Sequence, residues 1–307
     1  MKFQKNVLLK NYTTFKIGGP ADYFFVSENK TDLLQAIRLA KKKNLPFFIL
    51  GGGSNLLISD RGYKGLVIKI KNQKMKAVNE NISAEAGVTL NKLVSLSLNN
   101  NLTGLEWAAG IPGTVGGAVR GNAGAFGESM QNVVENVEVF DVKNNKFKKL
   151  RKTDCQFSYR NSVFKENPNL VILSCEFLLK LERKKKIQGK IEKNLSYRKL
   201  HHPKQPSAGS IFKNVSQRTL KKDFFKRFPE AQKVIKENVL PTAFLIDMCG
   251  LRGKRIGGAQ ISETHPNFII NTGKATSKDV LSLIRFVKTK IKQKTGIEIK
   301  EEIKKLN

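Results

Sequence analysis

The sequence predicts a mixed α/β protein, and three observations carry that expectation. Segments with helical apolar spacing alternate with short strand-like runs. The clearest strand, Phe-Phe-Ile-Leu at 47–50, runs straight into Gly51-Gly52-Gly53-Ser54-Asn55. The chain has 307 residues with 40% hydrophobic and 26% charged content, enough for two domains and a substantial folded core.

In chain order, Thr31 is a candidate N-cap for a helix whose apolar positions are Leu33, Leu34, Ile37 and Ala40. Asn44-Leu45-Pro46 ends it, and the 47–50 strand follows. Further strands are predicted at 66–70, 137–142 and 171–179. The charged stretch 181–186 marks a domain boundary. A helix at 187–195 and a proline-interrupted loop at 201–207 come next. The last helix runs from Ser277, a candidate N-cap, to about Lys294. Its apolar face carries Val280, Ile284, Val287 and Ile291, with Gly296 beyond its end. No solenoid-type repeat is present.

A net charge of +31 would ordinarily suggest nucleic acid. Here the lysines are spread along the whole chain, and the densest run, 183–186, has no interleaved aromatics. A solvated surface is the expected reading, with attraction of anionic nucleotides as the alternative. Cys155, Cys175 and Cys249 lie far apart without CxxC spacing, which argues against a disulfide framework or a metal site. No apolar run approaches the ~20 residues that span a bilayer, and residues 1–10 lack the apolar core of a signal peptide. A cytoplasmic protein is expected, with neither nucleic acid nor membrane as partner.

The second glycine cluster covers Gly110, Pro112, Gly113, Thr114, Gly116 and Gly117, and continues through Gly121 and Gly124 to Gly127. Glycines in such loops let backbone N–H groups approach an anion, and Ser54 and Asn55 add short polar side chains. Glycines that merely mark turns are the alternative. The chain contains neither GxxxxGK[ST] nor a GxGxxG opening a helix after Gly51, so the P-loop and the usual Rossmann fingerprint are both absent. A dinucleotide site of another design remains.

Tyr159 and Arg160 stand among apolar residues, where the guanidinium suits a carboxylate partner or a structural ion pair. Ser210 follows the small residues Ser207-Ala208-Gly209, so its hydroxyl is accessible as a proton donor or simply belongs to a turn. No GxSxG surrounds it, which disfavours hydrolase chemistry. His265 is a candidate ligand-facing group or a loop histidine, and Glu301-Glu302 lie in a charge run that reads first as surface.

Taken in order, these segments resemble the UDP-N-acetylenolpyruvoylglucosamine reductases of bacterial cell-wall synthesis. The resemblance covers nearly the whole chain: residues 11–19, 50–57, 104–127, 159–165, 206–214, 256–271 and Glu302. It implies an α+β fold: a two-lobed FAD-binding domain of the vanillyl-alcohol-oxidase type at 1–183, with lobes at about 1–70 and 71–183, and a C-terminal α/β substrate domain at 184–307. It implies reduction of UDP-N-acetylglucosamine enolpyruvate by NADPH through FAD. By the same resemblance Ser210 matches the proton donor, Arg160 and Glu302 the pair that stabilises the enol intermediate, and Gly51–Asn55 with Gly110–Gly117 and Gly124 the cofactor loops. Tyr159 and Asn214 match substrate contacts, and His265 and Asn267 are further pocket candidates. Almost nothing is inserted between Lys165 and Val171, as in the shorter subtype that lacks the substrate-capping loop. Glu302-Ile303-Lys304 replaces the usual Glu-Val-Arg, with Glu301 one register away. No histidine precedes position 201, so non-covalent FAD is expected. A monomer is expected.

Overall fold

The computed structural model describes residues 2–221 and 223–307. The chain packs as two units. One is built from the described part of Met1–Val7 with Ala21–Gly52 and Lys64–Leu200; the other from Leu8–Pro20, Gly53–Tyr63 and the described part of His201–Asn307.

The first unit holds two sheets. One orders its strands Gln4–Leu8, Pro20–Ser27, Tyr63–Ile70 and Phe47–Leu50. Its Phe47–Leu50 strand runs parallel to Leu66–Lys69, with Phe47 opposite Leu66. The helix Lys30–Lys42 joins the Pro20–Ser27 strand to the Phe47–Leu50 strand and buries Leu33, Leu34, Ala36, Ile37 and Ala40. Its N-cap is Asn29 rather than Thr31: the chain is extended at Asn29 and its side chain accepts from the Asp32 N–H. The second sheet is antiparallel, in the order Lys146–Arg151, Val134–Asp141, Leu170–Leu178, Asn81–Glu85 and Met75–Val78. Buried and less buried positions alternate over residues 173–178, whereas residues 139–141 and 171–173 are buried throughout.

The helix Lys184–His201 closes this unit and is longer at both ends than the predicted 187–195. Only Ile187 on it is buried, so apolar period could not reveal its length. It is held instead by a polar stripe at four-residue spacing. Lys190 pairs with Glu106 at 3.5 Å, Asn194 donates to the Glu106 carbonyl at 2.9 Å, and Arg198 donates to the carbonyls of Ala109 and Trp107 at 2.9 and 3.0 Å.

The second unit has an antiparallel sheet ordered Ser207–Ser210, Phe268–Asn271, Ala259–Ile261 and Arg255–Ile256. The helix Ser277–Thr295 buries Val280, Leu283, Ile284, Val287 and Ile291 into the core of this unit. Thr276, not Ser277, is its N-cap, in a capping box with Asp279. Ser277 is drawn inside the helix because its amide and hydroxyl both donate to the Asp60 carboxylate. Gly296, at φ 75°, takes the left-handed position that ends the helix. The C-terminal strand Lys304–Leu306 runs parallel to Leu56–Ile58. Among the described residues no helix is long and apolar enough to cross a membrane.

Candidate active site

In the first unit, Gly51 and Gly52 meet the 110–117 loop at very close range. A Cβ on Gly52 would lie 2.7 Å from the Cα of Gly113, and one on Gly51 would lie 2.6 Å from the Thr114 hydroxyl. Glycine is therefore obligatory at both, because any side chain would drive the two loops apart. The Lys69 ammonium donates to the carbonyl of Gly51, and burial, helped by the neighbouring Lys71, lowers its pKa. Thr114 Oγ1 is the one buried side-chain oxygen or nitrogen, among the described residues, without a hydrogen-bond partner. An orphaned hydroxyl of this kind costs about 1–3 kcal/mol. A phosphate oxygen accepting from it would remove that cost. Glycine backbone, an orphaned hydroxyl donor and a half-buried lysine together fit the pyrophosphate of FAD.

The other candidate loop residues divide by what they touch. The Gly116 N–H donates to Ala86 O at 2.9 Å, so this glycine serves the fold. A Cβ on it would lie 2.8 Å from that of Ala86. Gly124 opens a short hairpin, and its carbonyl accepts from Arg160 at 2.8 Å. Gly110 lies beside Leu195 and Arg198, and Pro112 is exposed. Lys69 and Arg198 carried no signal in the sequence, being a strand lysine and one basic residue among many.

Arg160 sits in a two-residue turn. Ser158 and Asn161 exchange both backbone hydrogen bonds, at 3.1 and 3.0 Å, and enclose Tyr159 and Arg160. Arg160 has φ 55°, the left-handed region that glycine ordinarily occupies at the second central position of such a turn. The surroundings hold it there: Asn122 donates to Ser158 O at 2.9 Å, and Lys165 donates to Arg160 O at 3.0 Å. Its guanidinium also lies 5.3 Å from the Tyr159 ring centroid, and Tyr159 itself is exposed. These bonds hold the arginine in a conformation that a residue with a side chain adopts at a cost.

In the second unit, Ser210 ends the strand Ser207–Ser210. Ser207 pairs with Ile270 and Ser210 with Phe268, so one extra residue lies on the serine strand. Gly209, at φ 76°, absorbs this bulge, which re-aims Ser210. Ile211 O then accepts from Glu302 N at 2.8 Å, and Phe212 bridges Glu301. Ser210 and Glu302 thus flank one stretch of paired backbone. Asn55 donates to the Glu302 carbonyl at 3.3 Å, and Lys304 N donates to Asn55 O at 3.0 Å, so Asn55 braces the glutamate. Glu301 is paired with Lys305 at 2.6 Å and Lys288 at 3.4 Å. A Cβ on Gly53 would meet the Tyr12 carbonyl at 2.1 Å, and Ser54 follows in the same turn.

Asn214 accepts at its side-chain oxygen from Thr242 N, 3.2 Å away. His265 packs on Phe268 and His202, with centroids 4.8 and 5.8 Å apart, and burial lowers its pKa. Asn267 is buried, and its amide is hydrogen-bonded to the backbone of Phe212.

Comparison with known proteins gives the family. Residues 21–150 match an FAD binding domain, and residues 201–306 match the C-terminal domain of UDP-N-acetylenolpyruvoylglucosamine reductase. The UDP-N-acetylenolpyruvoylglucosamine reductase of Clostridium novyi (strain NT) is 38% identical over 305 residues, 99% of this chain and 92% of that one. That of Caldanaerobacter subterraneus is 40% identical over 305 residues, 99% and 93% of the two chains. The crystal structure of UDP-N-acetylenolpyruvylglucosamine reductase (MurB) from Thermus caldophilus superposes with a TM-score of 0.80 at 32% identity, covering 100% of both chains. Identity of this extent over essentially the whole length means that the chain belongs to the UDP-N-acetylenolpyruvoylglucosamine reductase family.

Proposed function

We propose that this protein is an FAD-dependent oxidoreductase that uses NADPH to reduce UDP-N-acetylglucosamine enolpyruvate to UDP-N-acetylmuramate, a step of peptidoglycan precursor synthesis. The observation that carries the reading is the bulge at Gly209, which re-aims Ser210 beside a backbone ladder ending at Glu302. By function, residues 1–183 are assigned to the cofactor and 184–307 to the enolpyruvyl substrate; the packing units interleave these stretches. The enzyme is proposed to act as a cytoplasmic monomer, without nucleic acid or membrane.

FAD, held without a covalent bond, supplies hydride transfer. The chain supplies position, charge and a proton. Gly51, Gly52, Gly113 and Thr114 would hold the pyrophosphate, with Lys69 behind them; Gly53, Ser54, Asn55, Gly110, Pro112, Gly116, Gly117 and Gly124 would complete the cofactor loops. Arg160 meets the negative charge that hydride addition places on the enolpyruvyl carboxylate. Glu302 is assigned, with Arg160, to that same group. Ser210 delivers a proton to the adjacent carbon. Tyr159, Asn214 and His265 contact the substrate.

The test follows the visible spectrum of the purified protein. A flavin band is expected, bleached by NADPH and restored by the enolpyruvyl substrate. Ser210→Ala and Glu302→Gln should leave bleaching intact and slow restoration severely. Normal restoration in Ser210→Ala removes that serine from the chemistry, and an effect in Glu301→Gln alone moves the acid by one register. Rapid oxygen consumption without NADPH would instead mark a flavin oxidase. A colourless protein with steeply salt-dependent RNA or DNA binding would mark a nucleic-acid binder.

A further inference from the structure

We infer that Asn267 is a positioning residue for the reductive half of the reaction, fixing the backbone step that joins Ser210 to Glu302. The inference rests on the roles proposed above for those two residues.

Asn267 is 3% exposed and lies in the loop before the Phe268–Asn271 strand. Its side-chain amide behaves as a piece of strand. The carboxamide oxygen accepts from Phe212 N at 3.0 Å, and the carboxamide nitrogen donates to Phe212 O at 2.9 Å. Its backbone oxygen also accepts from Ile211 N at 2.8 Å. Across the same stretch, Glu302 N donates to Ile211 O at 2.8 Å, and Lys213 N donates to Lys300 O at 2.9 Å. Residues 211–213 are therefore gripped by Asn267 and by the segment carrying Glu302.

The need for this grip comes where the strand pairing ends. Past the bulge, pairing resumes at Ser210 and Phe268, and the Ile211 N–H to the Asn267 carbonyl is its last backbone bond. Phe212 bridges Glu301 on one side, and on the other side the Asn267 side chain takes the place of a strand neighbour. A primary carboxamide offers one donor and one acceptor at peptide-like spacing, so asparagine replaces the missing strand. Aspartate, of the same shape, would set a carboxylate oxygen against the Phe212 carbonyl. Misplacement of a reacting group by about 1 Å costs about a hundredfold in rate.

The experiment separates the two half-reactions of the holoenzyme by stopped-flow absorbance. In Asn267→Asp and Asn267→Ala, bleaching by NADPH should stay within about threefold of wild type, while restoration by the enolpyruvyl substrate slows about a hundredfold. Combining Asn267→Ala with Ser210→Ala should be no slower than Ser210→Ala alone, since the hydroxyl that Asn267 positions is already gone. Asn271 provides the control. It is 5% exposed, and its amide bonds Phe15 O, Gly273 N and Ala275 N away from Ser210. Asn271→Asp should lower thermal stability comparably and spare restoration. Equal slowing in Asn271→Asp, parallel loss of both half-reactions in the Asn267 variants, or multiplicative slowing in the double variant would overturn the inference. Asn267→Ser, which keeps one hydrogen-bonding atom, serves if the alanine variant does not fold. Hydrogen exchange of the Phe212 amide in the wild-type enzyme needs no variant: slow exchange is expected, and exchange as fast as in the exposed loops refutes the grip. If Ser210→Ala restores the flavin band normally, the role of Ser210 fails and the inference with it. If Ser210→Ala is slow and Asn267→Ala is normal, the inference alone fails.

Discussion

The turn at Arg160 yields a prediction in which stability and activity move apart. Arg160 holds φ 55° at the second central position of a turn closed by two backbone hydrogen bonds. A non-glycine residue in that region costs about 1–2 kcal/mol. Glycine relieves the cost but gives back about 0.4–1 kcal/mol through the freedom it gains in the unfolded chain. Arg160→Ala and Arg160→Gly lose the same bond to the Gly124 carbonyl and the same packing on Tyr159, so those losses cancel between the two variants. The difference left is about 0.5–1 kcal/mol in favour of glycine. At about 2–4 °C per kcal/mol for large domains, Arg160→Gly should melt about 1–4 °C above Arg160→Ala. Thermal unfolding of the two variants without cofactor reads this directly. Both variants should restore the flavin band at least about a hundredfold more slowly than wild type, having lost a preorganised cation at the developing charge. An alanine variant as stable as the glycine one, which is the usual order outside the left-handed region, would show that the turn stores no strain. A glycine variant with normal turnover would show that the arginine is not what the strain is kept for.

Four further outcomes follow from other contacts. Thr114→Val should raise the stability of the cofactor-free protein by about 1 kcal/mol, because it deletes an unpartnered buried hydroxyl, and should weaken FAD binding as measured by fluorescence titration; Lys69→Met should weaken it about tenfold, through the lost support of the Gly51 carbonyl. Asp60→Ala should cost about 1–2 kcal/mol in denaturant unfolding, since Asp60 accepts from the amide and hydroxyl of Ser277 at the start of the last helix. Burial lowers the pKa of His265, so below pH 6.5 the unfolded chain takes up its proton before the folded one does. Stability from this group is complete above pH 6.5 and is lost as the pH falls toward the folded value. His265→Gln should flatten that slope in melts between about pH 7 and 5.5.

The legible parts of this fold are those where one side chain's chemistry implies its backbone. The 47–50 strand, the apolar face of the last helix and Gly296 were readable because period and left-handed preference are properties of single residues. What stayed hidden depends on partners remote in sequence. Ser277 reads as an N-cap until Asp60, 217 positions away, claims its amide and hydroxyl and moves the cap to Thr276. The full length of Lys184–His201 is set by Lys190, Asn194 and Arg198 reaching residues 106–109, a polar stripe that a hydrophobic period cannot register. The site divides in the same way. Gly51, Gly52 and Thr114 announce a phosphate cradle locally, whereas Lys69 matters only because its strand runs beside Gly51. Asn267 shows the limit most clearly: its residue type and position are those of a pocket candidate, and its amide bonds the backbone of Phe212, 55 residues away. A residue type that can bind a ligand can equally replace a missing strand. Which it does depends on where the backbone pairing beyond Ser210 ends, a feature visible only once both strands are paired.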